Sequence, residues 1–219
     1  MVIANRLEAR VTPWSPSFAE PPIELRDSPL FFTVQQYLPL FEGLCNIADS
    51  GLWAHSLRVG KLASKVGEVL GLGSDRIERL EMAGFLHDIG RIGTPRTTQA
   101  PDNHAVLGAR AIAGIEALSP LVPAILFHEE HWDGTGSPSG LTGDAIPLDA
   151  RIIAIVDHFD RSLSSTASAE AAGVNAALES LKAGAGKQFD RDLVAAFRQA
   201  CATLSVKTLF GRPELSLKP

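Results

Sequence analysis

Cysteine is nearly absent: Cys45 and Cys201 are the only two in 219 residues, and neither has the spacing of a disulfide framework or a metal-binding pair. A stapled secreted scaffold is thereby excluded, and a reducing compartment is expected. Long apolar runs are also missing. No stretch approaches the roughly 20 residues that cross a bilayer, and Met1 to Arg10 is too polar for a signal peptide, so a cytoplasmic location without membrane insertion is expected. Basic residues are in the minority, 20 Lys and Arg against 25 Asp and Glu, for a formal charge of −5. No DNA or RNA partner is expected from such a balance. A small anionic substrate stays possible, because bound metal ions can supply local positive charge. The alternating apolar pattern of strands is missing, as is any internal repeat, which leaves an all-α fold. The glycine-rich stretch lacks a following Gly-Lys-Ser or Gly-Lys-Thr, so it is not a phosphate-binding P-loop.

What is present is a helical period. A hydrophobic content of 45% suits one globular core. Residues 1–28 carry Pro13, Pro16, Pro21 and Pro22 and read as an extended N-terminal segment, with a helical domain over 29–219. Apolar spacing predicts helices from Leu30 to Asp49, bent near Pro39, and from Leu52 to Leu70. A third runs from Asp75 into Phe85-Leu86-His87-Asp88-Ile89-Gly90, and Arg91 to Asp102 reads as a loop. A fourth starts behind Asn103 with His104 in its first turn and extends to Leu118, and a fifth runs from Leu121 to about Glu130. Trp132 to Gly143 is too rich in glycine and proline for regular structure, and so long a loop in a domain is usually functional. Helices over Leu148 to Leu163, Ala169 to Lys182 and Asp190 to Leu204 complete the chain.

Four of the six histidines fall at helix ends or on apolar faces: His55, His87, His104 and His128. Asp88 adjoins His87, Glu129 adjoins His128, and Asp157 is embedded among Ile155, Val156 and Phe159. A lone buried histidine is usually a core residue with a satisfied hydrogen bond. A carboxylate in apolar surroundings, however, needs a cation or donors. One shared metal site accounts for all these residues together, since imidazole and carboxylate are usual metal ligands. Separate structural roles need a new explanation for each.

The order His55, His87-Asp88, Asp157 resembles the HD superfamily of metal-dependent phosphohydrolases. His104 to Gly108, His128 through Trp132-Asp133-Gly134-Thr135-Gly136-Ser137-Pro138 to Leu148, Asp157 to Asp160 and the closing Gly184 to Asp190 are similar to its HD-GYP subgroup. The resemblance spans about residues 50–200. It implies an HD-domain helical bundle with a long Gly/Pro-rich loop. It also implies a bacterial signalling hydrolase, a phosphodiesterase that opens a cyclic dinucleotide, chiefly cyclic di-GMP, to pGpG or GMP through a metal-activated water. Two divalent ions, iron or manganese, are the implied cofactors. By motif, His55, His87, Asp88 and Asp157 hold the first ion, Asp88 bridges, and His104 and His128 hold the second. Arg91 stands where the family usually has lysine, and its guanidinium can neutralise phosphate, which with Asp88 makes the implied catalytic pair.

Four departures from the pattern accompany the resemblance. A second histidine is replaced by Glu129, still able to ligate metal; Ser137 replaces the tyrosine of the motif; Gly51 stands where some members place a glutamate for a third ion; and the segment from Asp88 to His104 is shorter than usual. They favour two ions over three. They also keep two alternatives in view: a signalling adaptor that binds metal or nucleotide and a protein partner without turnover, and a phosphohydrolase for another nucleotide. Asp133 is expected to shape its turn, His131 and His158 to lie beside the site rather than in it, and Asp160 to support Asp157 or bond the loop.

Overall fold

A computed structural model describes residues 28–49, 51–93, 103–165 and 171–203. Within these residues the chain forms eight α-helices and no strand: α1 (Pro29–Ala48), α2 (Leu52–Val69), α3 (Ser74–Leu86), α4 (His104–Ile112), α5 (Val122–Leu126), α6 (Leu148–Ser165), α7 (Ala171–Gly184) and α8 (Arg191–Thr203). The all-α expectation therefore holds. The expected extended segment 1–28 lies outside the described residues apart from Ser28, as do 94–102 of the Arg91 to Asp102 loop, the start of the seventh helix and the last residues of the eighth. No described helix is long and apolar enough to cross a membrane.

Three boundaries differ from the helical period, the first being that the third helix ends at Leu86 and leaves His87 and Asp88 in a turn before the 3-10 segment Ile89–Gly93. The fourth helix stops at Ile112, and Glu116–Leu121 follows as a separate 3-10 segment with Pro120 inside it. Proline lacks the amide that a continuing helix needs. The fifth ends at Leu126 and not at Glu130, so His128, Glu129 and Glu130 lie in a turn. In that turn their directions are set residue by residue and not by the fixed steps of about 100° that a helix imposes. α1 continues through Pro39 without a break.

Burial follows the periodicity. Ile152, Ile153, Ile155, Val156 and Phe159 put one broad face of α6 inside the core, and Phe159 meets Phe197 of α8 edge-on at 4.9 Å between ring centres. α2 and α3 cross at backbone contact: a Cβ on Gly84 would stand 2.5 Å from the Gly60 Cα. That crossing lies five residues after His55 and three before His87, and so draws the two imidazoles together. A second close contact follows at once. The 3-10 segment Ile89–Gly93 lies against the first turn of α4, where a Cβ on Gly90 would collide with the His104 carbonyl oxygen and stand 2.6 Å from the Gly108 nitrogen. His104 is thereby fixed beside Asp88.

Both glycines are thus needed for side-chain size rather than for backbone flexibility. Gly84→Ala is expected to lower stability by about 1–3 kcal/mol through overpacking, seen as a reduced midpoint in thermal unfolding, with the far-UV helical signal retained below the transition.

Candidate metal centre

Five segments deliver the polar residues to one end of the bundle. α2 supplies His55, the turn after α3 supplies His87 and Asp88, α4 supplies His104, the turn after α5 supplies His128 and Glu129, and α6 supplies Asp157. Their ligand atoms gather in two triads, His55 with His87 and Asp88, and Asp88 with His104 and His128, each with atoms within 4.8 Å of one another. Asp88 belongs to both. Asp157 lies against the first triad, with Oδ1 2.9 Å from His55 Nε2 and 3.5 Å from His87 Nε2. Glu129 lies at the edge of the second, with Oε1 3.5 Å from His104 Nε2 and 3.8 Å from His128 Nε2. Arg91 Nε stands 2.8 Å from Asp88 Oδ1. All seven residues singled out by their chemistry, and Arg91 with them, meet in one place.

The imidazoles are oriented by their outer nitrogens. His87 Nδ1 donates to the Gly84 carbonyl at 2.8 Å, and His128 Nδ1 donates to the Ile125 carbonyl at 2.7 Å. Both rings then turn Nε2 toward the site, and the His128 ring, which burial keeps neutral, presents that nitrogen as an acceptor. His87 Nε2 is buried without a hydrogen-bond partner and faces the Asp88 and Asp157 carboxylate oxygens at 3.6 and 3.5 Å. A buried ring nitrogen left without a partner and facing two carboxylates is a place that a divalent ion would fill, so the residues fit such a metal. The outer contacts are the second shell that such ligands need.

Charge in the site is strongly biased. Burial pushes the Asp88 carboxyl up, but His87 and His104, with Arg161 and Arg91, overcome it and hold the group well below the usual carboxylate range. The Asp157 carboxyl is likewise held well below the usual range, burial being outweighed by the His55 and His87 imidazoles beside it and by Arg161. Burial and the neighbouring His87 push His128 down to about 3, so it is neutral and able to ligate. Burial alone would lower His55 too, yet its hydrogen bonds to Asp157 and Asp160 raise it to about 9. A metal at His55 therefore has to displace a proton.

Two contributors, Arg161 and Glu130, were not singled out from sequence, and Asp160 has a partner other than the expected Asp157 or loop. Its Oδ2 accepts from His55 Nδ1 at 2.8 Å, while Arg58 donates to both of its oxygens at 2.6 and 2.8 Å. The i, i+3 spacing from Asp157 on α6 was the available signal. Arg161, one helical turn after Asp157, bonds both Asp157 and Asp88. Glu130 is buried, and its carboxylate accepts from the backbone of Ser139 at 2.6 Å and Leu141 at 3.0 Å. It ties the glycine-rich loop to the His128 turn. The loop is closed further by the pairing of Asp133 with Thr142 and by the Trp132 and Asp133 amides, which donate to the Gln188 and Lys187 carbonyls. Asp133 shapes its own turn by accepting from the Thr135 amide and hydroxyl, as expected. Ser137 is exposed. His131 and His158 stay outside the triads, held by Thr135 and Ser180. Together with Arg161 and Gln188 they line a cleft of about 180 Å³ that opens onto Asp157.

Helices converging on two histidine–aspartate triads that share one carboxylate define the class: an all-helical domain built round a centre able to hold metal ions. The family description "HD domain" matches residues 39–193, and the chain belongs to that family. Its relationship to the HD-GYP subgroup also holds. It is similar to the cyclic di-GMP phosphodiesterase response regulator RpfG of Xanthomonas campestris pv. campestris, at 37% identity over 170 residues, 71% of this chain and 45% of that protein. Among solved structures it is similar to the cyclic GMP-AMP specific phosphodiesterase V-cGAP3 of V. cholerae, with a TM-score of 0.60 and 20% identity over 75% of this chain and 49% of that one. It is also similar to Bd1817, an HDG"Y"P protein of Bdellovibrio bacteriovorus, with a TM-score of 0.56 and 20% identity over 68% of this chain and 51% of that one. The chain spans about half the length of these relatives.

Because Asp88 belongs to both triads, Asp88→Ala is expected to lose more bound metal than His128→Ala, which removes a donor from one triad only, read by elemental analysis of the purified protein. Glu130→Gln leaves loop amides with a poorer acceptor and is expected to cost about 1–3 kcal/mol, seen as a lower unfolding midpoint and faster proteolysis within residues 133–142.

Proposed function

We propose that this chain is a metal-dependent phosphodiesterase that opens a cyclic dinucleotide, cyclic di-GMP first among them, to pGpG or GMP. The observation that carries the reading is the carboxylate of Asp88 shared between two histidine triads beside an open cleft. Relatives named for cyclic di-GMP and cyclic GMP-AMP support the substrate class. Two divalent ions, iron or manganese, would be held by His55, His87, Asp88 and Asp157 and by Asp88, His104, His128 and Glu129. When bound, such a pair supplies a water of lowered pKa and takes up charge on the attacked phosphate.

The chain's own groups do the positioning. Asp88 fixes the separation of the two positions, and Asp160 fixes the tilt of His55. Arg91 lies three residues beyond Asp88, about one turn of the 3-10 segment, and its planar guanidinium can receive two oxygens of an anionic phosphate. The cleft wall of His131, His158 and Gln188 offers hydrogen-bonding groups for the remainder of the substrate. Cys45 and Cys201 are free thiols, which suits a reaction in the cytoplasm.

A second reading, a binding module without turnover that signals through a protein partner, is favoured by one observation: Arg91 and Arg161 already neutralise Asp88. Anaerobically purified protein supplied with Mn2+ or Fe2+ and cyclic di-GMP separates the two. The phosphodiesterase reading expects a linear product that disappears with chelator and in Asp88→Ala. Saturable binding of cyclic di-GMP with no product after prolonged incubation would establish the module instead, and product from cyclic GMP-AMP alone would change the substrate.

A further inference from the structure

Arg161 stands where the first metal position needs a cation. It sits one helical turn after Asp157 on α6, and its Nε donates to both Asp157 oxygens at 2.7 and 2.9 Å. Its Nη2 donates to Asp88 Oδ2 at 2.8 Å. The same Oδ2 is the Asp88 oxygen that lies 3.8 Å from His55 Nε2 and 3.6 Å from His87 Nε2, and Asp157 Oδ1 is the oxygen nearest both nitrogens. The guanidinium therefore engages, through three hydrogen bonds, both carboxylates of the first donor set. A divalent ion would need those same lone pairs, and two cations in contact inside a partly desolvated site repel strongly.

We propose that Arg161 is a resident cation of the first metal position, so that its guanidinium and a divalent ion exclude each other there and metal enters only as Arg161 leaves. The geometry allows the exchange. The Arg161 side chain is 44% exposed and borders the cleft beside His158 and Gln188, so a change of side-chain rotamer takes the charge into solvent-facing space without moving α6. Arg91 takes no part, because it meets the opposite oxygen of Asp88, the one facing His104. Two consequences follow from one charge. In the metal-free chain Arg161 stabilises Asp88 and Asp157, and in the loaded chain it becomes a cation on the wall of the cleft.

The inference rests on the metal-binding half of the proposed function and is tested without nucleotide. Mn2+ is titrated calorimetrically into the metal-free wild type, Arg161→Gln and Arg161→Lys. Removing the charge is expected to tighten Mn2+ binding at the first position by about 10-fold to 100-fold, with Arg161→Lys between the two. The unfolding midpoint should fall for metal-free Arg161→Gln and be largely restored by Mn2+. Equal or weaker Mn2+ binding in Arg161→Gln overturns the proposal. A readout independent of any variant is a crystal structure of the wild type grown with Mn2+: an ion at His55, His87, Asp88 and Asp157 is expected only with Arg161 turned away. Full anomalous occupancy there with Arg161 still bonded to Asp157 overturns it as well. Failure of every form to bind Mn2+ would sink the metal site and the proposed reaction together, whereas tight binding with Arg161 in place would sink only the role given to Arg161.

Discussion

One buried carboxylate sets the terms for the rest of the structure. Asp88 is almost wholly removed from solvent, and an unpaired charge in that place would be prohibitively costly. Its two oxygens face two different groups of partners: Oδ1 meets His104 and Arg91, and Oδ2 meets Arg161 together with His55 and His87. Those partners come from α2, the end of α3, α4 and α6. The helices are therefore tied at one end of the bundle by the need to compensate a single charge, while their apolar faces pack the remainder.

Holding that carboxylate in place is mostly the work of backbone contacts. α2 meets α3 at Gly60 and Gly84, and the segment after Asp88 meets α4 at Gly90. His87 and His128 are then turned by the Gly84 and Ile125 carbonyls, and His55 by Asp160. Each of these three imidazoles has its outer nitrogen committed, so the inner one has a fixed direction. This is preorganisation in a literal sense: the donor atoms converge on the site because the alternatives are sterically or electrostatically closed.

The departures from the HD-GYP pattern gain a physical meaning in this setting. Ser137 is exposed, and the loop around it is held by Glu130, by the Asp133 turn and by the pairing with Thr142. The shape of the loop therefore does not depend on an aromatic ring at position 137. Glu129 is different: it is more exposed than the histidines and stands at the margin of the second triad. A carboxylate there adds negative charge beside Asp88, and Arg91 lies 3.8 Å away to balance it. The replacements thus leave the frame intact and act on the charge and the cleft.

Sequence alone determined the helical class and the residues of the centre. Period 3.6 in the apolar residues is a local property, and a histidine or aspartate set into an apolar face is visible without knowing what lies opposite. His55, His87, Asp88, His104, His128 and Asp157 were legible for that reason. What only the tertiary structure decided is which groups meet. Asp160 carries no label that directs it to His55 rather than to Asp157, and Arg161 reads as an ordinary exposed residue of α6 until Asp88, 73 positions away, is folded against it. The end of α5 at Leu126 was equally hidden, because the turn there is stabilised by Glu130 bonding a loop further along the chain. Periodicity reports each helix's own burial; the pairing of charges depends on distances between helices, and those are set only when the cores pack.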